Sequence, residues 1–333
     1  MTERRDYRSA GVDLDAADAA LDGIRASVAA TYDDRVLAGL GAFGGLFDAS
    51  GLPDRPVLIG TVDGVGTKTR VAAATGRWDG IGTDLVHHCV NDLLVQGGRP
   101  LFFLDYLASA RLEPETVVRV VRSVADACRG VGMPLLGGET AEMPGVYADG
   151  ELDVVGAAIG VAARDRIVDG SAVTEGDRIL GLASGGLQTN GYSLARAVLD
   201  GAYDAPMPDG RSVADHLLEP HRSFLPAVAP LLDAGLVRGA AHVTGGGLPG
   251  NLPRVLPDGL GATIHGGWEE PAIFGRIREA GRVPEEEMRR AFNLGVGFVL
   301  IVAEAEVARV RATCPEPLFD VGRVVAGDGV RWA

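Results

Sequence analysis

Apolar residues along the chain switch between a two-residue and a helical period, and each switch predicts an element. The β-branched run 57–62 reads as a strand that delivers the Gly-rich stretch Asp63-Gly64-Val65-Gly66-Thr67-Lys68-Thr69. After it, Thr83 or Asp84 can cap a helix that ends at Gly97-Gly98. At about 100° per residue, Leu85, Val86, Cys89, Val90, Leu93 and Leu94 fill one side of that helix. Asp84, His87, His88, Asn91 and Asp92 fill the other. The stretch 101–107 reads as a second strand. Val117, Val120, Val121, Val124 and Cys128 mark a scaffold helix from Pro114 to Arg129, with proline at its start and Gly130 at its stop. Leu135 and Leu136 then lead into Gly137-Gly138-Glu139-Thr140, and 152–163 reads as a buried strand or strand pair.

A charged, Gly-bearing linker over 164–177 follows, and the pattern restarts. The stretch 179–183 reads as a strand, 185–191 as a loop and 192–199 as a helix. Further on, His242-Val243-Thr244-Gly245-Gly246-Gly247 precedes Asn251, and the run 298–303 reads as a late buried strand. No short repeat or low-complexity tail interrupts the chain. The expected organisation is two α/β-type domains of similar size, divided as 1–168 and 169–333.

Composition narrows the class. A chain of 333 residues with 47% hydrophobic and 23% charged residues is globular and can bury a sizeable core. Its formal net charge of −14, with no basic run longer than Arg4-Arg5 or Arg289-Arg290, argues against a nucleic-acid partner, because neutralising phosphates needs clustered positive charge. The first thirty residues hold no apolar leader and no apolar stretch approaches roughly 20 residues, so a cytoplasmic protein without a membrane partner is expected. Cys89, Cys128 and Cys314 are far apart and form no CxxC pair, which fits a reducing compartment. Lys68 is the single lysine among 31 basic residues. In so Arg-biased a chain that exception marks a position where a compact ammonium matters.

The candidate chemistry gathers around the Gly-rich stretches. The sequence 63–68 lacks the Walker ending, yet its glycines can bring backbone N–H groups to phosphate oxygens, Lys68 supplies charge and Asp63 can bridge through Mg²⁺. A plain turn after a strand would look the same. Asp63, Asp92 and Glu139, with Asp84, Asp105 and Glu142 behind them, supply the hard oxygens that suit Mg²⁺ held beside a nucleotide's phosphates. His87 and His88 lack further ligands at zinc spacing and are expected at the surface or supporting a neighbour. Gly39-Leu40-Gly41-Ala42-Phe43-Gly44 matches GxGxxG, but no strand is predicted before it, which argues against a dinucleotide site. Two loops in the second half, 185–191 and 244–248, stand between strand and helix and could take a substrate phosphate. Backbone N–H groups there would need no basic side chain, although a flexible connection is the alternative for each.

Taken in order, DGVGTKT (63–69), CVNDLLVQGGRPLFFLDYLA (89–108), GGETAEMPGVY (137–147), GLQTNGYSLAR (186–196), HVTGGGLPGNLPR (242–254) and FNLGVGF (292–298) resemble the phosphoribosylformylglycinamidine cyclo-ligases, also called aminoimidazole ribonucleotide synthetases. GVDLDAADAAL (11–21) and GLGAFGGLFD (39–48) extend the likeness to almost the full length. The resemblance implies an α+β homodimer, in which N-terminal domains pair into an intersubunit β-barrel and each C-terminal domain is a mixed sheet with helices. It implies ATP-dependent closure of formylglycinamidine ribonucleotide to aminoimidazole ribonucleotide, with release of ADP and phosphate, in purine biosynthesis. Carried over residue by residue, Lys68, Asp63 and Asp92 are the catalytic candidates. Gly64, Val65, Gly66, Thr67, Lys68, Gly138 and Glu139 would hold ATP, and Asp63, Asp92 and Glu139 would hold Mg²⁺. Gln188, Thr189, Asn190, Gly191, Gly245, Gly246 and Gly247 would bind the substrate. Two departures stand out: Gln188 replaces the usual histidine of its loop, which removes a titrating role, and Arg25 stands where the family has lysine. Relatives of this architecture carry out other ATP-dependent phosphorylations, and a catalytically silent nucleotide-binding partner is the reading from another class.

Overall fold

The computed structural model describes residues 14–333; Arg4-Arg5 and the first three residues of the 11–21 segment lie outside the described residues. The first half runs α1 (Leu14–Ala29), β1 (Val36–Ala38), β2 (Leu46–Phe47), β3 (Pro56–Gly64), α2 (Lys68–Thr75), α3 (Ile81–Val95), β4 (Arg99–Ser109), α4 (Pro114–Gly130), β5 (Leu135–Glu142) and β6 (Leu152–Ala163). The second half runs β7 (Arg178–Ala183), α5 (Tyr192–Leu199), α6 (Val213–Leu217), α7 (Leu225–Asp233), β8 (Gly239–His242), α8 (Gly247–Asn251) and β9 (Leu260–Ile264). It ends with α9 (Ala272–Gly281), α10 (Glu285–Ala291), β10 (Val296–Val302), α11 (Val307–Thr313), β11 (Phe319–Ala326) and β12 (Val330–Trp332). Contacts divide the chain into two compact units. Among the described residues one holds 14–52, 60–89 and 100–160, and the other 53–59, 90–99 and 161–333.

The first unit is built on a four-stranded sheet in the order β3-β6-β4-β5. β4 and β5 are parallel, with Asp105 opposite Gly138 and Tyr106 opposite Glu139, because α4 supplies the crossover that parallel neighbours require. Val117, Val120, Val121, Val124 and Cys128 of α4 are all buried, as their helical spacing predicts. Gly23 of α1 lets the two helices approach, since a Cβ there would lie 2.6 Å from Val118. α3 begins at Ile81, ahead of the expected caps Thr83 and Asp84. A Cβ on Gly82 would lie 2.1 Å from the Val124 amide, so the bare glycine allows the first turn of α3 to seat on α4. The Gly137-Gly138-Glu139-Thr140 stretch continues the strand that Leu135 and Leu136 begin, and 152–163 is a single strand, the first of the two expected alternatives. A strand does precede the GxGxxG match: β1 pairs antiparallel with β2, and the glycines form the connection of a two-stranded ribbon with no helix after it.

The second unit carries a six-stranded sheet in the order β12-β9-β11-β7-β10-β8, antiparallel except for β12 beside β9. β10 is buried along its whole length and its faces alternate. Phe298, Leu300 and Val302 join Phe224, Val228 and Leu231 of the α7 side, together with Leu94 from the end of α3. Val299 and Ile301 join Leu248 and Leu252 on the other face. Val296 lies with that second group despite its even number, because the β7–β10 register shifts between Val296 and Phe298.

Candidate active site

Asp63 is the penultimate residue of β3, and residues 65–67 turn the chain directly into α2. The Val65 amide donates to the Val154 carbonyl of β6 (3.0 Å), and the Thr69 hydroxyl donates to the Gly66 carbonyl (2.9 Å). Gly66 sits at φ 62°, where only glycine is free of a Cβ penalty. Gly66 and Thr67 are exposed, so the loop offers backbone at the surface. Beneath it lies a sealed charged pair. The Lys68 ammonium lies 2.7 Å from Asp84 Oδ1, with both side chains fully buried. Asp63 accepts from its neighbour Gly64 N–H (2.7 Å) through Oδ1 and from buried His88 Nε2 (2.8 Å) through Oδ2. The expectation that His88 is a surface or merely supporting residue is thus sharpened: it orients the Asp63 carboxylate. Asp84, expected as a cap, instead holds Lys68.

Glu139 belongs to another wall. It is exposed on β5 and, with Gly138, lines a cavity of about 240 Å³ walled by α1, α4 and Asp105 of β4. Burial pushes the Asp105 carboxyl up to about 7, against the smaller opposing effect of a backbone hydrogen bond.

In the second unit, residues 185–191 connect β7 to α5 as expected, but Gln188 and Thr189 are buried. Gln188 has φ 65°, and its amide lies over Gly297 of β10, where a Cβ would be 2.9 Å from Nε2. Asn293 fastens the loop by donating to the carbonyls of Gly186 (2.9 Å) and Leu187 (3.2 Å). The second Gly-rich stretch turns between β8 and α8, with Gly245 exposed and Gly246 half-buried. One amide organises it: Asn251 Nδ2 donates to the carbonyls of Gly247 (2.9 Å), Gly245 (3.2 Å) and Thr244 (3.4 Å). Gly246 and Gly247 take φ 97° and 58°. Arg290 of α10 lines the same surface depression as Gly246, so a basic side chain does stand beside a loop expected to work without one.

A line of polar contacts that sequence reasoning missed runs beneath these loops. His242 Nδ1 donates to Asp92 Oδ1 (2.9 Å), His242 Nε2 meets His221 Nε2 at 3.0 Å, and His221 Nδ1 meets the Thr189 hydroxyl at 3.2 Å. Two imidazole nitrogens that close need one N–H facing one lone pair, so one ring donates to the other across this contact. Asn91 adds three bonds: it donates to the Arg222 carbonyl (2.8 Å), accepts from Phe224 N–H (2.9 Å) and meets His221 Nε2 (3.2 Å). His242, at the end of β8 before the glycines, carried a positional signal. His221 lies in an irregular stretch and carried none.

Comparison with known proteins gives this geometry its class. Residues 47–162 match the N-terminal domain model, and 174–332 the C-terminal domain model, of AIR synthase related proteins. A thiamine-monophosphate kinase from Stenotrophomonas maltophilia shares the fold at TM-score 0.69 and 19% identity, over 94% of this chain and 95% of its own. A hydrogenase maturation protein HypE solved in complex with ATP does so at TM-score 0.63 and 18% identity, over 90% and 84%. The two units are therefore the paired domains of an AIR synthase related protein. Within that class, the phosphoribosylformylglycinamidine cyclo-ligase of Sorangium cellulosum is 50% identical over 96% of this chain and 95% of its own. The chain belongs to the phosphoribosylformylglycinamidine cyclo-ligase family.

Proposed function

We propose that this protein closes the imidazole ring of formylglycinamidine ribonucleotide at the expense of ATP. The observation that carries this reading is the 50% identity to a named cyclo-ligase over nearly the whole of both chains. ATP transfers its γ-phosphoryl group to the formyl amide oxygen. The ribose-bearing nitrogen then attacks the activated carbon and phosphate leaves, giving ADP, phosphate and aminoimidazole ribonucleotide. Such a reaction asks the protein for position and charge rather than covalent help. In this reading residues 1–168 bind ATP and metal, and residues 169–333 bind the ribonucleotide.

Gly64 to Thr67 offer backbone N–H groups to the phosphates, and Lys68, seated on Asp84, places positive charge under them. Gly138 and Glu139 border the nucleotide. Asp63, Asp92 and Glu139 provide hard oxygen donors of the kind Mg²⁺ prefers, and the metal would neutralise phosphate charge. Thr189, Asn190, Gly191 and the 245–247 loop take the ribonucleotide, with Arg290 beside Gly246 adding charge. Gln188 supports its loop from within.

A cytoplasmic homodimer is part of the proposal. β3 is an edge strand whose Leu58 and Val62 are 64% and 68% exposed, the surface that pairing with a second copy into a β-barrel would cover. Among the described residues no helix is long and apolar enough to cross a membrane. The test measures ADP release with and without formylglycinamidine ribonucleotide. Release that requires the ribonucleotide and yields aminoimidazole ribonucleotide supports the reading. Substrate-independent release favours another phosphorylating activity of this fold, and none at all a silent nucleotide-binding protein.

A further inference from the structure

The line of contacts from Thr189 to Asp92 runs entirely inside the second unit and passes through His221, a residue to which the ring-closing scheme gives no task. His221 is 1% exposed, in the irregular stretch 218–224 between α6 and α7. Side chains fasten that stretch. Asn91 of α3 accepts the Phe224 N–H through Oδ1 and donates to the Arg222 carbonyl through Nδ2, and Arg222 Nη1 donates to the Ala183 carbonyl at the end of β7 (2.9 Å). His221 is thereby fixed in backbone as well as in ring. A buried imidazole costs free energy unless its nitrogens are bonded. Here Nδ1 meets the Thr189 hydroxyl at 3.2 Å, and Nε2 meets His242 Nε2 at 3.0 Å and Asn91 Nδ2 at 3.2 Å. The second ring is itself packed, with the ring centres of Phe224 and Phe298 each 6.4 Å from that of His242.

We infer that His221 is a positioning residue for the ribonucleotide: from outside the 185–191 loop it sets the direction of the Thr189 side chain, and through His242 it ties that hydroxyl to the Asp92 carboxylate. The inference rests on the proposed ring-closing reaction, in which Thr189 touches the ribonucleotide, and adds the residue that holds Thr189 in place. A threonine side chain has more than one staggered position to choose from, and the bond to His221 selects the one the loop presents. Asn293 fastens the backbone of this loop at Gly186 and Leu187, and His221 fastens its side chain at Thr189. Phenylalanine would fill the same volume and make neither bond. Asparagine carries its amide near the place of Nδ1 and glutamine near that of Nε2, so two substitutions separate the bond to Thr189 from the bond to His242.

Calorimetric binding of formylglycinamidine ribonucleotide to the full-length protein, with KM and kcat measured beside it, tests this. His221→Phe should weaken the ribonucleotide roughly three- to tenfold, the worth of one internal hydrogen bond, and leave the ATP KM unchanged. Thr189→Val should weaken it at least as much. The double variant should bind no worse than Thr189→Val alone, because His221 acts on the ligand only through that hydroxyl. His221→Asn should recover most of the affinity and His221→Gln little of it. Multiplied losses in the double variant, equal weakening of ATP, or a His221→Phe protein that loses stability in denaturation while keeping its ribonucleotide affinity would overturn the inference. In each of those cases the unsubstituted protein still binds the ribonucleotide and releases ADP in response to it. Failure of the ring-closing reading differs, since the unsubstituted protein would then do neither, and both readings would fall together.

Discussion

The 64–67 loop of the first unit rests on charge, with Lys68 paired to Asp84 and Asp63 held by His88, whereas the 244–247 loop of the second rests on the neutral amide of Asn251. Both turn a strand into a helix and both leave glycine backbone at the surface. Their supports differ in what they tolerate. A buried ion pair fails when either partner is neutralised, because the survivor is left charged in a dry site. An amide fan fails when its donors are lost or when a side chain enters space that only glycine leaves open.

The largest effect should come from breaking the charged support. Lys68→Met takes the ammonium away from buried Asp84 and should cost about 3–5 kcal/mol in chemical denaturation. Adding Asp84→Leu should recover part of that stability and none of the activity; a single variant as stable as the parent would contradict the buried pair. Lys68→Arg keeps charge but not shape, so turnover should fall sharply. Its bulk in a sealed site makes a parallel stability measurement necessary.

The amide support should fail more gently. Asn251→Ala removes the shared donor of three carbonyls and should cost about 1–3 kcal/mol, with the ribonucleotide KM raised and the ATP KM unchanged. Equal loss for both ligands would place this loop at ATP. Gly246→Val adds a side chain at φ 97°, at a cost of about 1–3 kcal/mol, and should show the same division between the two KM values.

The smallest effect separates the first unit's sealed ion pair from its buried carboxyl Asp105, whose Oδ2 has no partner. Folding raises the Asp105 carboxyl from 3.8 to about 7, so the folded chain holds this proton after the unfolded chain has released it. That contribution to stability is fully present below pH 3.8, falls as pH rises and is lost once pH passes about 7. Asp105→Asn should flatten the slope of unfolding free energy between pH 3.8 and about 7, and an unaltered slope there would remove Asp105 as its source.

Some of this was legible in particular residues. The α4 stripe and the strand runs were readable because one buried face repeats at the element's own period. Asp63 and Lys68 stood out because a unique lysine closes a Gly-rich turn. The boundaries of α3 were not readable, since its start depends on Gly82 meeting α4. Two adjacent glycines carry no strand signal of their own, and Gly137-Gly138 is strand because β4 pairs with it.

What the sequence determined by itself is therefore local and covalent: the periods, the glycines that permit positive φ, the lone lysine and the ordered motifs that mark the family. Only the tertiary structure decided which charges face each other. Lys68 and Asp84 are 16 residues apart, Asp92 and His242 150 apart, and Thr189 and His221 32 apart. Periodicity reports which side of an element is buried but not what it is buried against, and a polar side chain acquires its role from the partner that folding brings to it.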